Sequence, residues 1–306
     1  MRYRTMLPAA AGILAVVHVV GIFVDEPLLP QAEMLALLLL AAYALSAGYT
    51  PVIPAPPAVS STPDLAVPVV RWVVPVALTT LMVDAWHSMP IADARRLAFL
   101  AVDPPDPALV VTAEVRENWA GMVFVSMLAL TARLGGGRPG RPATVGMVLA
   151  AVLVTGYAFV RSVAEYTEVW ELRRQHPGVD GDSLARIAAT GVAGLLPLAL
   201  ALGAIVLVAL LLAHRLRLAA GGAVLLVLVA LIRVDAVIGS PPQPPHLIDR
   251  GGVFTAATQT VPGFAAHGPA MVAALELAAY LLLVVGLYAG RTGRSPAPDR
   301  PEPVGT

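Results

Sequence analysis

Glu276, Arg233, Asp235 and His18 lie inside long apolar runs. Ionisable side chains in such surroundings cost ~2.5–3.5 kcal/mol each on membrane-insertion scales, so each calls for a partner or a task. A buried carboxylate without a cation takes up a proton instead of standing charged, so Glu276 is read with Arg233 as its counter-ion. Carboxylates held this way can bind or relay protons and cations, and an arginine can hold an anionic group. Asp84 and Arg161 close two further apolar runs. With a rise of about 1.5 Å per residue, all six residues fall within ~10 Å of one membrane face. The candidate pocket therefore comprises His18, Asp84, Arg161, Arg233, Asp235 and Glu276. A plainer account competes with it: Arg233, Asp235, Asp84 and Arg161 snorkel to headgroups from span ends, and Glu276 serves as a hydrogen-bond bridge between helices.

A second chemistry is suggested by histidine. His87, His176, His246 and His267 all fall between apolar runs on that same face, near Asp84, Glu168, Asp180 and Asp249. Imidazole suits zinc or copper, and a carboxylate can complete the shell. There is no HxH or HExxH spacing, so solvated loop histidines are the simpler reading. The chain has no cysteine, which excludes disulfides, thiol nucleophiles, iron–sulfur clusters and covalent c-type haem. It also has no lysine, which excludes a retinal Schiff base and a phosphate-loop lysine. Basic residues do not interleave with aromatics, so nucleic acid is not an expected partner.

Apolar runs must position these residues. The chain is 58% hydrophobic and only 13% charged, with a mean hydropathy of +0.77, so lipid is its expected solvent and partner. Eight runs are long enough to span: Leu7 to Val24, Ala32 to Tyr49, Val67 to Trp86, Asn118 to Leu134, Ala143 to Val163, Ile187 to Ala213, Leu218 to Ile238 and Pro269 to Gly290. Their pattern is not the alternation of a barrel, so the fold class is an all-α integral membrane bundle. Leu7 to Val24 follows Met1-Arg2-Tyr3-Arg4-Thr5 as a signal peptide would, but no small-x-small cleavage site precedes Asp25-Glu26, and it is read as a span. The fourth run extends back to Ala108 with Glu114, Arg116 and Glu117 interrupting it, which suits a helix standing above the bilayer.

Arginine sets the orientation. The links 133–141 and 214–217 share a side with Arg2, Arg4, Arg291, Arg294 and Arg300, which places both termini in the cytoplasm and the larger loops outside an inner (plasma) membrane. The Pro-rich segment Thr50 to Ala66 lies on the cytoplasmic side without an arginine. Ile91 to Val102 suits a short interfacial helix. Residues 1–290 form one transmembrane domain, and 291–306 a disordered tail. An echo of Val83-Asp84-Ala85 in Val234-Asp235-Ala236, and of Gly121-Met122-Val123 in Ala270-Met271-Val272, suggests a 4+4 parallel repeat with halves 1–142 and 143–290.

Three functions compete. The leading expectation is a carrier or solute-binding membrane protein using the polar pocket for transport. The second is a membrane-embedded enzyme on a lipid or lipid-linked substrate at the outer leaflet, with Glu276 or Asp235 as general acid or base and His18 or His87 as its partner. It requires a groove open to lipid between the first and eighth spans. The third is an accessory subunit bound to another membrane subunit of an envelope complex.

Overall fold

A computed structural model describes residues 3–24, 29–48, 72–85, 107–134, 139–175, 182–238 and 262–292, and these form eight helices. They are α1 (Tyr3–Val24), α2 (Leu29–Gly48), α3 (Trp72–Ala85), α4 (Pro107–Leu134), α5 (Arg141–Gln175), α6 (Asp182–Ala213), α7 (Arg217–Ile238) and α8 (Pro262–Thr292). No strand occurs among the described residues. Helix is the conformation in which an apolar segment satisfies its own N–H and C=O groups without water. Among the described residues, four segments are long and apolar enough to cross a membrane: Arg141–Ala164, Gly191–Ala213, Arg217–Val237 and Met271–Tyr288. The apolar parts of α1, α2 and α3 are shorter, at Met6–Val20, Gln31–Ser46 and Trp72–Ala85.

Several helices outrun the apolar stretches that nucleate them. α4 starts at Pro107, well before Asn118, and so carries Glu114, Arg116 and Glu117 within one continuous helix. α5 runs past Val163 to Gln175 and ends in a stacked Tyr166–Trp170 pair with the Arg174 guanidinium over the Trp170 ring. The interfacial helix expected at Ile91 to Val102, the segment Thr50 to Ala66 and the tail beyond Thr292 lie outside the described residues.

α6 and α7 join through a tight turn. Leu216 N–H donates to Leu211 C=O at 2.9 Å and Arg215 N–H to Leu212 C=O at 2.9 Å, while Arg215 takes φ 61°. This satisfies the last carbonyls of α6 as a glycine-ended helix would, but with an L-residue in the left-handed region. It returns α7 antiparallel along α6. α6 also packs on α4, α7 on α8, and α8 on α1 and α2, while α5 lies against α6 and α7.

Small residues set the closest of these contacts. A Cβ on Gly222 would stand 2.6 Å from the Ala279 carbonyl oxygen, and one on Gly286 would overlap the Ala219 backbone. In lipid there is no hydrophobic drive to bring helices together, so close backbone approach and polar bonds must hold α7 to α8. Buried Ala223, Leu226, Leu283 and Val284 continue that seam. α5 is the opposite case: only 11% of its spanning window is buried, against 39% for the windows of α7 and α8. Val148, Val152, Phe159 and Val160 on α5 are exposed, an apolar surface that lipid tolerates and water does not.

Candidate functional site

The polar residues of the bundle meet at the end opposite the α6–α7 turn. Antiparallel packing along the α7–α8 seam puts Arg233, near the end of α7, level with Glu276 on α8. Arg233 Nη2 donates to Glu276 Oε2 at 2.7 Å, an ion pair whose side chains are 21% and 22% exposed. The same guanidinium donates through Nη1 to Oδ1 of Asn118 at 3.3 Å, and Asn118 is completely buried on α4. Tyr280, one helical turn after Glu276, donates its hydroxyl to Glu276 Oε1 at 2.8 Å. Its ring is fixed edge-on against Phe124 of α4, with centroids 5.1 Å apart. Both oxygens of Glu276 therefore hold strong donors, and three helices are joined through one carboxylate–guanidinium pair.

Two further carboxylates border this pair. Asp84, at the end of α3, accepts from Trp119 Nε1 of α4 at 2.7 Å, next along the helix from Asn118. Glu33, near the start of α2, faces His18 of α1, with Nε2 to Oε2 at 3.6 Å. His18 is buried, at 8% exposure. Glu33 lies within electrostatic reach of Glu276, Asp84 and Arg233. The described network thus draws three carboxylates, one arginine and one histidine from five helices and ties them to Asn118 and Trp119 of a sixth, α4.

Arg161 and Asp235 stand apart from it. Residues two positions apart on a helix point to nearly opposite sides, so Asp235 faces away from Arg233 on α7. It is met there by α5: Arg161 Nε donates to Asp235 Oδ1 at 2.8 Å and Tyr157 donates its hydroxyl at 3.2 Å. These side chains are 32% exposed for Arg161 and 52% for Asp235. Of the six residues expected to share one level, the geometry gathers His18, Asp84, Arg233 and Glu276 and pairs Arg161 with Asp235 on another face.

Glu33, Asn118, Trp119 and Tyr280 were not singled out by sequence. A signal existed for Tyr280, which stands at i+4 from Glu276, and for Glu33, a carboxylate inside the second apolar run. Asn118 and Trp119 coincide with a span boundary, where polar and amphipathic residues look ordinary. His87, His176 and His246 lie outside the described residues, as does the side chain of His267 on α8. No group of three or more metal-ligating side chains occurs among the described residues. Compared with known protein families, curated proteins and solved structures, the chain matches none.

Proposed function

We propose that this chain is a multi-pass carrier of the cytoplasmic membrane, with all eight helices spanning, both termini inside and the polar network opening outward. The observation that carries this reading is the gathering of carboxylates among the described residues: Glu33 lies within electrostatic reach of Glu276, Asp84 and Arg233, and Glu276 pairs with Arg233. Packing alone would be served by neutral small-residue contacts such as those at Gly222 and Gly286, without the cost of desolvating charge. Excess negative charge at one end of a bundle suits a proton or a cation, with Arg233 holding the carboxylates together between occupancies. The 4+4 repeat fits the same proposal, since the two halves would then rock about the network.

The lipid-working enzyme requires a side entrance between α1 and α8. Those helices pack against each other along the described residues, which favours the carrier. Reconstituted liposomes containing a trapped pH-sensitive dye test the proposal directly. With a proton gradient imposed, and Na⁺ or K⁺ added outside in turn, wild type is expected to give protein-dependent proton movement. Glu276→Gln should lose it when compared at equal amounts of folded protein. Proton movement absent from wild type under every condition would favour the accessory subunit, in which the network only packs helices.

A further inference from the structure

The carboxylates of the network differ in how they are held, and that difference singles out one of them. Glu276 receives two direct hydrogen bonds, from Arg233 at 2.7 Å and Tyr280 at 2.8 Å. Asp84 receives the Trp119 indole N–H at 2.7 Å. Glu33 receives no hydrogen bond among the described residues; its direct ionic neighbour is His18 at 3.6 Å, beyond hydrogen-bond length. Donors stabilise the ionised form of a carboxylate, and like charges nearby oppose it. Glu276 and Asp84 each have donors, whereas Glu33 has none among the described residues, is set into the bundle, and lies within electrostatic reach of the like charges of Glu276 and Asp84 as well as of Arg233.

We infer that Glu33, beside His18 of α1, is the proton-exchanging group of the network, and that the doubly hydrogen-bonded Arg233–Glu276 pair is its fixed anchor. This rests on the carrier reading and assigns its working carboxylate. When Glu33 Oε2 takes a proton, its charge is neutralised and its pull on the His18 ring 3.6 Å away weakens, which loosens α1 from α2. When the proton leaves, the carboxylate regains its charge and that pull. Glu276 acts as a positioning residue, fixing the repulsion that Glu33 feels.

Infrared difference spectroscopy of the purified full chain, stepped between acidic and alkaline buffer, reads the protonated-carboxyl band directly. Wild type should show one such band from within the bundle. Glu33→Gln should abolish it, Glu33→Asp should restore it at a displaced frequency, and Glu276→Gln should keep it while lowering thermal stability. A band that survives Glu33→Gln and disappears in Glu276→Gln or Asp84→Asn overturns the assignment but leaves a proton-exchanging network. Absence of any such band in wild type overturns both the assignment and proton exchange by this site. If Glu33→Gln does not fold, the Glu33→Asp frequency displacement decides alone: a displaced band supports Glu33 and an undisplaced one rejects it.

Discussion

Two arginine–carboxylate pairs sit on α7 only two residues apart, with nearly equal lengths and unequal surroundings. Arg233–Glu276 spans 2.7 Å and is about four-fifths buried on both sides. Arg161–Asp235 spans 2.8 Å, and its carboxylate is 52% exposed. The first joins helices whose backbones touch through Gly222 and Gly286; the second joins α7 to α5, whose spanning window is mostly uncovered. Length of the bond therefore says little about its worth. Desolvation and the rigidity of the helices decide it: breaking a buried pair strands a charge, while an exposed partner is solvated at once.

The largest expected effect is at the buried pair. Arg233→Ala leaves Glu276 without its cation and should cost ~3–5 kcal/mol, seen as a large fall in the thermal midpoint in detergent. Replacing both residues with apolar ones, Arg233→Leu with Glu276→Leu, should recover much of that stability, because no charge is then stranded. Next comes the seam beneath it. Gly286→Leu forces α8 off the Ala219 backbone and should cost ~2–3 kcal/mol, with spin labels at the polar end reporting separation of α7 and α8. Tyr280→Phe removes one of the two donors to Glu276 and keeps the ring on Phe124, for a loss of about 1 kcal/mol. The smallest change is at the exposed pair, where Arg161→Ala should cost under about 1 kcal/mol and become undetectable in high salt. Equal losses for Arg161→Ala and Arg233→Ala would erase the distinction between the two pairs.

The sequence was informative where physics leaves few choices. Apolar runs in a chain so poor in charge become helices, and an acid and an arginine placed at equal depth on adjacent runs, Glu276 and Arg233, meet. It was uninformative where the outcome depends on rotation about a helix axis. Depth alone places Arg233 and Asp235 in one pocket, yet a two-residue step turns them to opposite sides. The seam is invisible for a related reason: in a chain with 26 glycines, Gly222 and Gly286 differ from the rest only by what faces them. Asn118 carries no charge, so its burial beside Arg233 gave no warning. Glu33 stands as a carboxylate inside its run, but which neighbour it meets, His18 of α1, depends on how α2 is turned.

The claim at the centre of this account is that the buried network works and the exposed pair does not. Proton movement measured side by side in liposomes for wild type, Glu276→Gln and Asp235→Asn tests it most directly. Near-complete loss is expected for Glu276→Gln and near-wild-type flux for Asp235→Asn at equal folded protein. Loss in Asp235→Asn with flux retained in Glu276→Gln would contradict it and move the functional centre to the α5–α7 face.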